Sequence, residues 1–473
     1  MKNFSKFSFL FYDYETFGVN PVKDRPAQFA CLRTDINFNV ISNPTVLYCY
    51  PPLDYLPNPE SILITSITPQ YTLLNNGLNE SDFSKKIYDI FIQANTCILG
   101  FNNILFDDEI TRNIFYRNFF DAYEWSWKNH NTRWDVINLL RAFYALRPSG
   151  ISWPWNKVKK CVSFKLQDFS KSNDLFHDKA HHALSDVYAT IEVLKLLKKK
   201  NFNFFRFLFF MRKKKKILKF IEKNYRKPLI YISHYYGSKN NNFSRIFPLT
   251  LHYENKNILI AFDLDRLYSD FFLENKKEIY KNINVLFSHG MRLIFLNKSP
   301  ILIPINVLRE KDISRLKLNQ SRFLKNFIFF KKFFNKNIIQ KLSRIRFEYK
   351  YFKHSDYKLY EKFFTLFDRI QMKKIRENIN KKNINHGLKM YDSRFTDLNF
   401  FFKARNFPHY LTQIERLRWK KYLKNFFNKK KIYKYKKNIF LLKKKYLHNI
   451  KNQNLLDKLL FYLKYLKKLL KST

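Results

Sequence analysis

Two carboxylates stand two residues apart in an otherwise apolar run. Ser8–Gly18 reads SFLFYDYETFG, and Asp13 and Glu15 are its only charges. The run has the aromatic-rich make-up of a strand, where residues i and i+2 point to one face. Asp13 and Glu15 therefore sit side by side and repel. An exposed strand end with both acids in water is the plainer outcome for such a pair. A buried pair needs neutralising. A divalent cation does that, and hard oxygen ligands suit Mg²⁺.

More groups of this kind follow. Phe106-Asp107-Asp108-Glu109 comes just after the short strand Thr96–Phe101 and an Asn102-Asn103 turn, where it opens a helix over Asp108–Phe119. Acids are favoured at a helix start in any case. His181-His182-Ala183-Leu184-Ser185-Asp186 begins another helical segment, Ala180–Lys200, with Ala183, Val187, Ile191 and Leu194 on its apolar side. His181 and Asp186 fall within about a turn and a half of helix, or of its entry.

These groups need a scaffold, and residues 1–200 read as alternating strands and helices. The strand SFLFYDYETF, a hairpin around the Asn-Pro turn within Phe38–Tyr50 and the buried strand Thr96–Phe101 imply an α/β sheet covered by helices. This first zone holds 23 Lys+Arg and 20 Asp+Glu, so the remaining residues hold 88 − 23 = 65 and 38 − 20 = 18. Nearly all of the +50 net charge lies after residue 200, which favours an anionic partner, nucleic acid above all. The wealth of Lys, Asn, Phe, Ile and Tyr, with 7 Gly, is also the composition of an A+T-rich gene.

The shift begins at Lys198-Lys199-Lys200 and Arg212–Lys216, which sets a boundary near 200. Short β-rich runs, Leu229–Ile232 and Ile258–Phe262, mark about 225–350, and a helical pattern runs from about 355, with the Lys runs 429–431 and 443–445 on its helices. No internal repeat is evident. No apolar run is long enough to span a membrane, and Asp13 and Glu15 interrupt what would be a signal peptide. Cys31, Cys49, Cys97 and Cys161 fit neither a zinc motif nor a disulfide scaffold, which points to a reducing cytoplasm.

Taken in order, Asp-x-Glu on a first strand, Asp after a later strand and His-x-x-x-x-Asp resemble the pattern of the DEDDh exonucleases. The matching residues are Asp13, Glu15, Asp107, His181 and Asp186, the five-residue offset selecting His181 over His182 or His177. The likeness extends to FLFYDYETFG, DRPAQFA (Asp24–Ala30), ILITSITPQ (Ile62–Gln70), Thr96–Phe119, WSW (Trp125–Trp127), YALRP (Tyr144–Pro148), SDVYATI and KARNFP (Lys403–Pro408). These segments resemble the bacterial exodeoxyribonuclease I family, densely over 1–195 and more thinly afterwards.

The resemblance implies a ribonuclease-H-like exonuclease domain over 1–200, an SH3-like β-barrel domain over 201–352 and an all-helical C-terminal domain over 353–473. It implies 3′-to-5′ hydrolysis of single-stranded DNA to 5′-mononucleotides, in DNA repair and recombination, by a cytoplasmic bacterial monomer. Two Mg²⁺ ions, for which Mn²⁺ can substitute, would be held by Asp13, Glu15, Asp107 and Asp186. His181 would take a proton from the attacking water, since a free imidazole titrates near pH ~6.5. Residues matching Arg112, Tyr123, Trp127 and Arg141 face the DNA in the family, where Arg pairs with phosphate and rings stack on bases. Alternation would put Trp125 and Trp127 on one face. Glu15 and Lys165 would meet the terminal nucleotide. Lys165 stands where better-known members carry Arg, which keeps the charge but loses the bidentate fork. Arg147 matches a residue that binds the acidic C-terminal tail of single-stranded DNA-binding protein. Two rivals are a DEDDh ribonuclease, usually much shorter, and an inactive single-strand-binding protein, against which the five intact residues stand.

Overall fold

The computed structural model describes residues 6–178, 181–268, 283–347, 352–378 and 391–472. They fall into two compact units, one of 1–131, 178–187 and 350–473, the other of 132–177 and 188–349.

In the first unit, strands β1 (Ser8–Thr16), β2 (Pro26–Thr34), β3 (Thr45–Tyr48) and β4 (Thr96–Gly100) form a sheet in the order β3-β2-β1-β4. β1 runs antiparallel to β2 and parallel to β4, with Asp13 opposite Ala30, Glu15 opposite Gln28 and Leu10 beside Ile98. A central strand meets protein on both faces, so β1 is apolar on both. Leu10, Tyr12 and Tyr14 enter a core with Phe29, Phe83, Ile87, Ile114 and Trp125, which the helices Glu80–Phe91 and Asp107–Arg117 help to build. Phe9 and Phe11 line the other face and pack on Phe38, with ring centroids 5.0 and 6.1 Å away. Asp13 and Glu15 continue that second row.

Two local expectations change. The hairpin is formed by β2 and β3, while Phe38–Ser42 contributes only an isolated bridge at Val40. Phe38 is buried at φ +68°, so its ring closes the core from a turn and not from a strand. The helix near the third acid spans Asp107–Arg117, and the one carrying Asp186 spans Ala183–Lys200, Ala180 lying outside the described residues.

The helices Leu366–Glu377, Phe395–Asn406, Gln413–Phe426, Lys429–Lys445 and Ile450–Ser472 belong to the same unit. A buried ion network ties part of this segment to the sheet. Arg25 meets Glu80 at 3.3 Å and Asp356 at 3.0 Å. Arg117 pairs with Glu80 at 2.9 Å, while Arg405 reaches Asp54 and Asp356, both at 2.8 Å. Burial opposes the charge on Glu80, but Arg117 and Arg25 outweigh it and hold the carboxyl down at about 2. Burial is likewise overridden at Asp356 by Arg405 and Arg25, which lower its carboxyl.

The second unit opens with β5 (Thr132–Asp135), the helix Val136–Leu146 and the small pair β6 (Trp155–Asn156) and β7 (Cys161–Val162). Its main sheet is antiparallel, built from β8 (Leu229–Ile232), β9 (Phe243–Leu251), β10 (Ile258–Asp263), β11 (Met291–Phe295) and β12 (Ile301–Pro304) in the order β11-β10-β9-β8-β12. The zone expected to be β-rich up to 350 is helical over Gln320–Phe333 and Lys336–Ser343. Phe330, Phe334 and Leu342 there pack on Phe247, Ile260 and Phe262 of the sheet. Among the described residues, no helix is long and apolar enough to cross a membrane.

Candidate active site

The site grows from the end of β1. Strand alternation sends Tyr12 and Tyr14 into the core and leaves Asp13 and Glu15 on the opposite row. Glu15 is buried, and Asp13 Oδ2 is a buried oxygen without a hydrogen-bond partner.

Asp107 is delivered by a turn with strict requirements. β4 ends at Gly100, where a Cβ would lie 2.5 Å from the Tyr12 carbonyl oxygen, so only glycine permits this approach. The Asn103 side chain accepts from the Gly100 N–H at 3.1 Å, and its carbonyl accepts from the Asp108 N–H at 2.8 Å. The helix thus starts with Asp107, Asp108 and Glu109 in its first turn, where its dipole favours acids. The three acids then diverge. Asp107, 3% exposed, accepts the Tyr14 N–H at 3.0 Å. Asp108 turns inward to accept from Tyr12 Oη at 2.5 Å and Asn103 Nδ2 at 3.1 Å. Glu109 pairs with Arg112 at 2.8 Å.

The segment before Ala183–Lys200 supplies the rest. His181 adopts φ +63° and is exposed, and Asp186 donates its N–H to the His182 carbonyl at 3.1 Å. Glu15, His181 and Asp186 each offer a ligand atom, and these atoms lie within 4.8 Å of one another. His182 goes elsewhere: its Nε2 lies 3.3 Å from Gln28 Nε2, while Gln28 Oε1 accepts from the Ala183 N–H at 3.1 Å. Gln28 was not singled out in the sequence, although it lies in the segment DRPAQFA. Only the register, which sets it opposite Glu15, gives it a place at the site.

The electrostatics follow from crowding. Burial, then Asp107, Asp186 and Glu15, push the Asp13 carboxyl well above the usual carboxylate range. Burial, then Asp186 and Asp107, push Glu15 up to about 8. Acids so placed bind a proton or a cation readily, and a set of carboxylate oxygens with one imidazole suits a hard divalent ion. The donor set and the orphaned Asp13 oxygen therefore fit a divalent cation.

The expected substrate contacts lie in both units. In the first, Arg112 is buried, bonded to Glu109 and to Tyr360 Oη at 3.2 Å, and lies 5.6 Å from the Tyr123 ring centroid. Tyr360 also donates to Glu109. Trp127 is 65% exposed, but Trp125 is fully buried and donates its Nε1–H to the Ala122 carbonyl. The expectation of one shared face fails because Glu124–Ser126 is a 3₁₀ turn, not a strand, and at three residues per turn i and i+2 diverge. In the second unit, Arg141 is buried and donates to Asn138 Oδ1 at 2.8 Å. Lys165 is exposed just before the helix Leu166–Ser172. Arg147 is partly buried, 3.7 Å from Asp312 and 5.5 Å from the Phe204 ring centroid.

Comparison with known proteins identifies the family. Residues 10–194 match the model of an exonuclease family, 212–348 that of the exonuclease I SH3-like domain, and 353–466 that of the exonuclease I C-terminal domain. Exodeoxyribonuclease I of Buchnera aphidicola subsp. Baizongia pistaciae is 45% identical over 466 residues, covering 98% of this chain and 96% of that protein. Its counterpart in Escherichia coli K12 is 42% identical over 422 residues, covering 87% and 88%. E. coli exonuclease I solved with a dA16 oligonucleotide superposes with a TM-score of 0.91 at 38% identity, covering 98% of this chain and all of that one (100%). The carboxylate centre, the three matched domains and near full-length identity establish that this chain belongs to the exodeoxyribonuclease I family.

Proposed function

We propose that the chain removes nucleotides from the 3′ end of single-stranded DNA, releasing 5′-mononucleotides, and serves DNA repair and recombination. The observation that carries this reading is the gathering of Glu15, His181 and Asp186 within 4.8 Å, with Asp107 close enough to help raise both Asp13 and Glu15.

Asp13, Glu15, Asp107 and Asp186 would hold two divalent ions, Mg²⁺ by donor chemistry, with Mn²⁺ able to substitute. Such ions supply stabilisation of the charge that develops on the scissile phosphate. His181, exposed beside Glu15 and Asp186, accepts a proton as water forms its bond to phosphorus. The bond from phosphorus to the preceding 3′ oxygen breaks, and solvent protonates that oxygen. Trp127 offers an exposed ring for a base, and Lys165 a mobile charge for phosphate. Arg112 acts differently from a surface cation: Glu109 and Tyr360 fix it, and it in turn orients Tyr123. Arg141 is fixed in the same way by Asn138. Arg147, with Phe204 and Asp312 around it, is the candidate contact for the acidic tail of single-stranded DNA-binding protein.

The test uses 3′-labelled and 5′-labelled single-stranded DNA with Mg²⁺, with and without EDTA, beside Asp13→Ala. Mononucleotide release from the 3′ end, abolished by EDTA and by the substitution, is expected. Release from the 5′ end, or an Asp13→Ala protein as fast as the parent, would overturn the reading.

A further inference from the structure

The reaction makes no use of the last two helices, Lys429–Lys445 and Ile450–Ser472. Each buries one face. Ile439 and Leu442 of the first, and Leu455, Leu456 and Leu459 of the second, pack with Phe17, Tyr55, Ile62 and Ile67. Gln70 Nε2 donates to the Lys458 carbonyl at 2.8 Å, fixing the second helix further.

The opposite faces share a different composition. Tyr433, Lys437, Phe440 and Lys444 are spaced by four, three and four residues and form one exposed stripe. The Lys444 ammonium lies 5.0 Å from the Phe440 ring centroid. On the second helix Lys458, Phe461 and Tyr465 repeat the pattern, with Lys464 beside them. Phe440 and Phe461 are 58% and 66% exposed. From residue 416 to the end there are 20 Lys+Arg and one acid, Asp457, which Lys443 holds at 2.6 Å. A+T-rich coding multiplies Lys and Phe everywhere, yet residues 1–200 retain 20 acids. The loss of acids is thus local, and it coincides with rings left in water.

We propose that this hairpin face is a second binding surface for single-stranded DNA, apart from the carboxylate centre. Lysines take the phosphates, while Tyr433, Phe440, Phe461 and Tyr465 meet the bases. A cationic track with interleaved rings is what sequence-tolerant binding of single strands needs. A helix lying on a lipid surface instead separates a continuous apolar face from its charges, and here rings and lysines alternate along one stripe. The inference rests on the proposed function only in naming DNA as the polyanion.

The test compares the full chain with a variant carrying Lys437→Gln, Lys444→Gln, Lys458→Gln and Lys464→Gln, and with Phe440→Ala plus Phe461→Ala. Fluorescence anisotropy in EDTA reads the affinity for a labelled 30-mer across a salt series, and hydrolysis of a trinucleotide with Mg²⁺ reads the catalytic centre. Loss of four phosphate contacts at about 0.7 each should lower the log–log salt slope by about 3. The ring variant should bind at least tenfold more weakly, with trinucleotide hydrolysis within twofold of the parent for both. Unchanged 30-mer affinity and slope would overturn the proposal. So would unchanged DNA affinity with lost binding to phosphatidylserine vesicles, which would assign the face to a membrane. A parent that binds the 30-mer through these residues but cleaves nothing would refute the proposed reaction and leave the surface standing.

Discussion

The backbone N–H of Tyr14 donates to Asp107 Oδ1 at 3.0 Å, joining residues 93 positions apart. Tyr14 lies between Asp13 and Glu15, so the strand that carries two acids also fixes a third through its main chain. No side chain at position 14 is needed for that bond, and the Tyr14 ring is left to pack in the core.

His181 and its neighbour should separate cleanly. His181→Ala should lower kcat by about 10²–10⁴ with little change in KM, as expected for loss of a general base. His182→Ala removes a contact with Gln28 and should cost stability before activity, by about 1 kcal/mol. Steady-state kinetics and thermal melts of the two variants check this.

The two tryptophans should divide in the same way. Trp127→Ala should leave the melting temperature unchanged and weaken single-stranded DNA binding by about 1–3 kcal/mol, the range for a stacked base. Trp125→Ala empties a fully buried site and should cost about 3–5 kcal/mol of stability. Anisotropy with a labelled oligonucleotide and chemical denaturation distinguish the outcomes.

The acid centre makes cation binding visible without turnover. Glu15 is raised to about 8, above its ordinary value in the unfolded chain. Its contribution is therefore full below about pH 4.5 and is lost as pH rises toward 8 in metal-free protein. Mg²⁺ should raise the melting temperature, and more so at pH 8 than at pH 6. At a hundred times the dissociation constant the gain is about 2.7 kcal/mol. Asp13→Asn should abolish most of this shift in a fluorimetric melt.

Glu80 behaves in the opposite sense. Held down at about 2 against an unfolded value near 4.5, it stabilises the fold above pH 4.5, and that contribution falls away as the pH drops toward 2. Glu80→Gln should flatten the acid limb of the stability curve. Glu80→Ala takes the carboxylate from the buried Arg117, leaves Arg25 with Asp356 alone, and should cost about 3–5 kcal/mol at pH 7.

The gathering of Glu15, His181 and Asp186 was legible in the sequence, because residue type, spacing and a family resemblance together singled them out. Strand alternation is enough to pair Asp13 with Glu15. Its supports were less legible. Arg112 reads as a surface cation until Tyr360 arrives from 248 residues away. Gln28 looks like any strand residue until the register places it opposite Glu15. The Trp125-Ser126-Trp127 segment suits either a strand or a tight turn, and packing of Trp125 against Phe91 decides for the turn. Residues 320–343 mix Phe and Lys so densely that helix and strand periods overlap, and the sheet beneath them settles the matter.

The network joining Arg25, Glu80, Arg117, Asp356 and Arg405 bears on modular exchange. Asp356 and Arg405 come from the C-terminal segment, yet their partners Arg25 and Asp54 belong to the segment that carries the nuclease centre. Cutting the chain at residue 350 would leave Arg25 short of one partner and Asp54 without its guanidinium, and would uncover the surface on which the C-terminal segment packs. A nuclease fragment prepared that way should be insoluble, and so should a chimera with the C-terminal segment of a distant relative unless those five positions and Asp54 travel together. Recombination between members of the family is thus constrained to inherit the two ends of the chain as one piece.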